Sequence, residues 1–296
     1  MLRDMIQYEG KLFRPPSEAN SLILQATIGC SFNECAFCGM YRDKRFRVRR
    51  FEEIEREIDW ASANAPGVRK VFLADGDALI AKSSFLLRVL EKLRASFPLL
   101  RRVSVYASPQ SLQVRTVDEM RALKEAGLTL YYLGIESGDD AVLTDLVKGV
   151  DAAEMVRVAN KAGEAGVKLS TMILLGAGGR ARSIEHATAS AEVVNAIQPK
   201  FVSTLVMTPV EDTPLWERAA RGEVDELTPI ELARELRTFI GGLELEGSVF
   251  RSNHASNYLA LAGNLPKDKA RLVAALDEIL KAPERYSFRP EWQRGL

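Results

Sequence analysis

The sequence predicts a parallel α/β fold, barrel-like or doubly wound, on three observations. Short β-rich runs alternate with helical patterns from residue 21 to about residue 207, the runs are apolar enough to be buried on both faces, and a polar or glycine-rich motif follows each one. A chain of 296 residues with 47% hydrophobic content has ample material for such a core.

The first run is SLILQATI, 21–28. The helix FEEIEREIDWASANAP follows, with Phe51, Ile54, Ile58 and Ala61 at helical spacing and its glutamates on the wet face. KVFLA, 70–74, is the second strand, and the helix SSFLLRVLEKLRASF after it is stopped by Pro98. RVSVYA, 102–107, is the third, followed by the helix VDEMRALKEAG, for which Gly127 is a suitable C-terminal cap. LTLYYLGI, 128–135, precedes a helix near 152–165; VKLSTMILLG, 167–176, precedes one near 183–197 that ends before Pro199; KFVSTLVM, 200–207, is the sixth strand. Right-handed crossovers put the helices outside the sheet. Beyond it, helical patterns at 228–243 and 266–281 flank the polar loop RSNHASN, 251–257. The expected organisation is a lead-in over 1–20, an α/β core over 21–211 and a mainly helical extension over 212–296.

Lysines plus arginines number 40, as do aspartates plus glutamates, so no global field draws the chain to nucleic acid or a membrane surface. No stretch reaches the roughly 18 apolar residues of a membrane span, and the N-terminus has no long apolar run, so a cytoplasmic location is expected.

Parallel α/β folds place their binding groups at the carboxyl ends of the strands. After the first strand come the cysteines, after the second Asp75-Gly76-Asp77, after the third Ser108-Pro109-Gln110. After the fourth come Glu136-Ser137-Gly138, after the fifth Gly176-Ala177-Gly178-Gly179, and after the sixth Thr208-Pro209-Val210-Glu211.

All three cysteines, Cys30, Cys35 and Cys38, lie in TIGCSFNECAFCGMY, 27–41, spaced by four and then two residues. An odd, tightly spaced set points to metal or redox chemistry instead of a disulfide framework. Three ligands leave an open position on zinc, or one iron free in an iron-sulfur cluster. A closed zinc site would need His186 or His254, neither of which is near the cysteines in sequence.

The cysteine triplet after the first strand, with Phe37 before the last thiol, resembles the cluster loop of the radical S-adenosylmethionine enzymes, with one residue inserted between the first two cysteines. The resemblance covers roughly 20–210 and implies a partial (β/α)6 TIM-like barrel with a helical C-terminal extension. Asp75-Gly76-Asp77 stands where the family has its Gly-Gly-Glu motif, which receives the methionine ammonium. LGIESGDDAVL, 133–143, is similar to the ribose motif, with Glu136 as acceptor for the hydroxyls, and Lys148 matches the basic position that meets the methionine carboxylate in the coproporphyrinogen oxidase-like branch. MILLGAGG, 172–179, resembles the motif along the adenine, with Met172 where relatives often carry an aspartate. Ser108 and Gln110 complete the implied cofactor-binding set. The implied cofactors are a [4Fe-4S] cluster on the three cysteines and S-adenosylmethionine, cleaved to a 5'-deoxyadenosyl radical that abstracts a hydrogen atom from a substrate. The general look is to the coproporphyrinogen oxidase-like and elongator-like branch, and no cysteine remains for an auxiliary cluster.

Two further stretches are candidates. The basic run from Arg42 to Arg50 reads as a solvated edge or as a docking patch for an electron donor such as flavodoxin or ferredoxin. In RSNHASN, His254 is the candidate proton donor, having a reference pKa close to neutral. The reading from a different class is a non-catalytic metal-binding or redox-sensing protein using the three thiols with zinc or an iron-sulfur centre.

Overall fold

In the computed structural model, which describes residues 6–295, the apolar runs are strands and the amphipathic runs between them are helices. After a 3-10 turn at Pro16–Glu18 the chain forms β1 (Leu22–Gln25), β2 (Thr27–Ile28), β3 (Arg47–Val48), α1 (Phe51–Asn64), β4 (Lys70–Ala74), α2 (Ser83–Ser96) and β5 (Arg102–Ala107). It continues with α3 (Pro109–Val114), α4 (Val117–Glu125), β6 (Leu128–Glu136), α5 (Asp140–Asp145), α6 (Ala152–Glu164), β7 (Lys168–Leu175), α7 (Gly179–Ile197) and β8 (Phe201–Val206). The remainder holds α8 (Pro214–Ala220), α9 (Pro229–Gly242), β9 (Ser248–Ser252), β10 (Leu261–Leu265) and α10 (Lys269–Lys281). Residues 1–5 of the expected lead-in lie outside the described residues.

Eight strands form one sheet in the order β1, β4, β5, β6, β7, β8, β9, β10, and β2 with β3 forms a separate antiparallel ladder. The pairs β1–β4, β4–β5, β5–β6, β7–β8 and β8–β9 are parallel, as the apolar runs predict; β9–β10 is antiparallel. By internal contacts the chain divides into two compact units. One runs to Asn33 and takes in Met40–Leu133 and Val158–Leu169; the other comprises Glu34–Gly39, Gly134–Arg157 and Ser170 onward.

In the first unit, α1 buries Ile54, Ile58 and Ala61 while α2 buries Leu86, Val89, Leu90 and Leu93, the i, i+4, i+7 stripe of a helix lying on a sheet. Glu18 fastens the lead-in across β5 and β6. Its buried carboxylate accepts from Arg102 Nη2 at 2.6 Å, Ser104 Oγ at 3.0 Å and the Tyr132 hydroxyl at 2.5 Å. That satisfies a group which would otherwise be costly to bury.

In the second unit, α9 buries Leu232, Leu236, Phe239 and Ile240, and α10 buries Leu272, Leu276 and Ile279. α10 lies directly on β10, since a Cβ on Gly263 would stand 3.0 Å from Leu272 Cδ1 and 2.9 Å from Asp268 Cβ. The turn after β6 is as tight: Gly138 N donates to Ser190 Oγ at 2.9 Å, and a Cβ there would fall 2.1 Å from the Ala189 carbonyl oxygen.

Three expectations are corrected. SLILQATI is not one strand: Ala26 N donates to Ala74 O at 2.6 Å and Ala26 O accepts from Arg49 N at 3.1 Å, so its peptide groups divide between the main sheet and β3, and β2 leaves the sheet. RSNHASN is not wholly loop, because Arg251 and Ser252 end β9, and the extension adds β9 and β10 to the sheet besides its helices. The helix expected near 183–197 starts at Gly179.

These close approaches predict opposite outcomes at two glycines. Gly138→Ala should lose about 2–3 kcal/mol or more by urea denaturation, because the carbonyl it meets is backbone and cannot swing away. Gly163→Ala, on α6 with nothing within 4 Å of the new Cβ, should gain about 0.5–1 kcal/mol.

Candidate functional site

At the carboxyl ends of β4 and β5, the first unit ties its acidic motif to the start of the cysteine loop. Gly76 N donates to Gly29 O at 3.1 Å, and a Cβ on Gly76 would lie 2.5 Å from the Tyr41 ring and 3.0 Å from Cys30 Cβ, so only glycine lets β4's end meet Cys30. Asp77 is fully buried and accepts from Ser31 Oγ at 2.5 Å, Ser108 Oγ at 2.7 Å and Ser108 N at 3.0 Å. Burial raises its pKa, and the bonds from Ser31, Ser108 and Ser111 only partly offset that. Ser108 caps α3, accepting from Ser111 N at 3.0 Å, and Gln110 stands half-buried in the same helix's first turn.

Asp75 is turned to a different partner. Its carboxylate accepts from Lys44 Nζ at 2.9 Å, Gly29 N at 3.1 Å and Gln25 Nε2 at 3.1 Å. The side chain is thus engaged in holding the cysteine loop's return segment.

In the second unit, the Cys35-Ala36-Phe37-Cys38 turn is pinned from both sides. Ala36 N donates to Leu146 O at 2.9 Å, Ala36 O accepts from Leu215 N at 3.0 Å, and Cys38 N donates to Cys35 O at 3.2 Å. Phe37 packs against a cluster containing Val142, Leu146, Leu174 and Ala177. Glu136, at the end of β6, adopts φ +67° and accepts from Lys148 Nζ at 3.0 Å, with both side chains buried. A Cβ on Gly134 would fall 1.9 Å from Glu136 Oε1 and 3.2 Å from Lys148 Nζ, so the pair fills the space a larger residue would need. Burial works against the Lys148 charge, but Glu136 and the thiols of Cys35 and Cys38 outweigh it and raise its pKa. A retained ammonium in turn favours the thiolate forms that iron requires. Three thiols, two of them in the field of one buried cation, are a donor set that fits a [4Fe-4S] cluster. Among the described residues no three His, Cys, Asp or Glu side chains gather around a single-ion position. Thiolates on a four-iron cluster bind different irons and stand further apart.

The remaining candidates are placed as follows. Met172 lies half-buried on β7 in register with Ser203 of β8. His254 is half-buried in a turn, where Nδ1 accepts from Ser256 N at 3.1 Å; burial and Arg289 lower its pKa, so the imidazole is neutral near pH 7. The basic run is not a uniform cationic face. Lys44 pairs with Asp75, Arg47 with Glu9 at 2.5 Å, Arg49 with Glu57 at 2.7 Å and Arg50 with Glu53 at 3.5 Å. Its charge is largely neutralised locally.

Sequence reasoning missed a buried polar chain on α9 and α7. Glu235 Oε1 accepts from Gly176 N at 2.6 Å and Oε2 from Ser183 Oγ at 2.6 Å. His186, on the next turn of α7, bonds through Nδ1 to Ser137 Oγ at 2.7 Å and through Nε2 to Leu174 O at 3.0 Å. Burial pushes His186 down to about 4, so it is the neutral tautomer with Nε2–H donating to the carbonyl, and pushes Glu235 up to about 7. A glutamate in an amphipathic helix pattern carries no local signal of this.

Residues 24–189, more than half of the chain, match the model of the Radical SAM superfamily. The chain is 27% identical over 284 residues to a biotin synthase of Pelotomaculum thermopropionicum (strain DSM 13744 / JCM 10971 / SI), covering 86% of this chain and 82% of that protein. It is similar in fold to methylornithine synthase (PylB), with a TM-score of 0.56 at 17% identity over 86% of this chain and 68% of that one. For the Escherichia coli coproporphyrinogen III oxidase (HemN) the TM-score is 0.54 at 16% identity, over 75% of this chain and 52% of that one. The fold is therefore the mostly parallel α/β sheet of a partial TIM-like barrel. No helix among the described residues is long and apolar enough to cross a membrane.

Two measurements follow from the buried charges. Lys148→Met should cost about 3–5 kcal/mol in denaturant unfolding by leaving Glu136 buried without its cation, and adding Glu136→Gln should recover most of it. Glu235 keeps its proton in the folded chain up to about 7, against an ordinary 4.5, so both states are protonated below 4.5 and stability falls as pH rises from there to about 7. Glu235→Gln should remove that part of the fall, read as the melting temperature against pH.

Proposed function

Since the chain belongs to the Radical SAM superfamily, whose members use a [4Fe-4S] cluster and S-adenosylmethionine, we propose that it is an enzyme that abstracts a hydrogen atom from an organic substrate, with the cluster on Cys30, Cys35 and Cys38. The observation that carries the reading is the buried Lys148 ammonium, shared by Glu136 and the Cys35 and Cys38 thiols. Reduced and bound, the two cofactors supply a 5'-deoxyadenosyl radical.

The three thiolates leave one iron open for an amine and a carboxylate. Lys148 is a cation for that carboxylate, and Glu136 an acceptor for a ribose diol. Asp77, oriented by Ser31 and Ser108, is the acid for the ammonium, while the peptide atoms of Asp75 and Gly76 form the edge beside it. Met172 and the turn from Gly176 to Gly179 line the adenine, and Ser108 and Gln110 complete the β5 side. Phe37, packed against Val142 and Leu146, excludes water from the thiolates. An electron donor of the flavodoxin or ferredoxin class supplies the electron. His254, neutral and already engaged by Ser256, is assigned no more than a contact near substrate.

The test is anaerobic reconstitution, chemical reduction and assay for 5'-deoxyadenosine after adding S-adenosylmethionine. The wild type should form it, and Cys30→Ala, Cys35→Ala and Cys38→Ala should each lose the cluster's absorbance and the product together. A complete, reducible four-iron cluster that yields no 5'-deoxyadenosine would overturn the proposal.

A further inference from the structure

The geometry points to Glu235, on the C-terminal extension, as a positioning residue for the nucleoside half of the cofactor: we propose that its carboxyl fixes the turn after β7 and thereby sets adenosyl affinity. The inference rests on the reading above, in which the ends of β6 and β7 hold the adenosine.

Glu235 has no exposed surface, and its two oxygens have separate tasks. Oε1 accepts from Gly176 N at 2.6 Å, the first amide beyond β7, and Oε2 accepts from Ser183 Oγ at 2.6 Å on α7. Gly176 adopts φ +82°, and a Cβ there would lie 3.2 Å from Leu232 Cδ2, one turn before Glu235 on the same face of α9. The turn is therefore gripped by α9 through both an apolar contact and a charge-capable acceptor. From Oε1 the His186 Nε2 is 3.7 Å away, and His186 Nδ1 bonds Ser137 Oγ, the side chain next to Glu136. One carboxyl thus bonds the adenine-side turn directly, and the imidazole packed beside it is held by Leu174 O and by Ser137, the neighbour of Glu136.

A leucine would fill this place with less desolvation cost, so packing alone does not account for a glutamate. What an apolar residue cannot do is accept from Gly176 N, and a buried amide left without an acceptor relaxes by moving its backbone. A displaced Gly176 turn would shift the strand end that lies along the base. Facing Glu235 are Ser183 and His186 from α7 and the Gly176 amide from the turn; His186 is uncharged near neutrality and supplies no counter-ion.

The test is equilibrium binding of 5'-deoxyadenosine, which lacks the methionine half and so reports the nucleoside site independently of iron chelation, to the reconstituted wild type and to Glu235→Leu, Glu235→Asp and Glu235→Gln. Glu235→Leu should bind about tenfold more weakly, one hydrogen bond's worth or about 1.4 kcal/mol, while melting no lower than the wild type at pH 8. Glu235→Asp, which keeps the charge but withdraws it from Gly176, should lose a similar factor and keeps the test alive if the leucine variant does not fold. Glu235→Gln, whose amide oxygen still accepts from Gly176 N and whose amine donates to Ser183 Oγ, should bind within about threefold of the wild type, and its Gly176 amide should keep its protection from hydrogen exchange. Unchanged affinity in Glu235→Asp and in folded Glu235→Leu, or equal loss in Glu235→Gln, would overturn the positioning role. Failure of the wild type itself to bind 5'-deoxyadenosine would instead overturn the site reading beneath it.

Discussion

A cation and an anion buried together at the end of β6 organise the surrounding residues of the second unit. Glu136 is a non-glycine residue at φ +67°, a conformation that costs energy unless its surroundings enforce it, and what faces it is the Lys148 ammonium at 3.0 Å. Around that pair the neighbouring choices become necessary. Gly134 must lack a side chain because Glu136 Oε1 occupies the space, Leu146 supplies the carbonyl that Ala36 N needs, and Phe37 closes the apolar side against Val142 and Leu146. Buried ion pairs contribute little net stability compared with apolar replacements. Their presence is better explained by the thiols of Cys35 and Cys38, which share the field of Lys148.

In the first unit an acid is again held by a buried lysine. Asp75 and Asp77, two acids in three residues, are separated by partner: Asp75 by Lys44, Asp77 by the hydroxyls of Ser31 and Ser108. Lys44 is drawn out of the basic run to do this, and Glu57 takes Arg49 in turn. The run that reads as one basic patch in one dimension is divided, in three, among Asp75, Glu9 and the glutamates of α1.

How much of this could be read in the sequence depends on whether the cause is local. KVFLA and RVSVYA were legible as β4 and β5 to the residue, because both are short, mostly buried runs rich in β-branched and aromatic residues between helical patterns. SVFRS and LAGNL were not, because β9 and the edge strand β10 are short and mix polar residues and glycine with apolar ones, and a short run of that kind resembles a loop. The cysteine triplet stands out by its spacing alone, whereas Gly76, Glu136 and Lys148 are singled out as cofactor contacts only by the family resemblance, and of these the structure brings Glu136 and Lys148 together as one buried pair. The pairings Ser31–Asp77, Ser137–His186 and Ser183–Glu235 were not legible: the partners are 46 to 52 residues apart, and nothing in the one-dimensional pattern joins them.

In the proposed site three thiolates leave one iron open to the cofactor. The most direct test is the EPR spectrum of the anaerobically reconstituted, reduced protein, recorded before and after S-adenosylmethionine is added and paired with iron analysis. About four irons per chain are expected, with a signal whose g-values shift on addition, because the amine and carboxylate would change the open iron's ligands. A full iron complement with an unshifted spectrum would contradict an open iron.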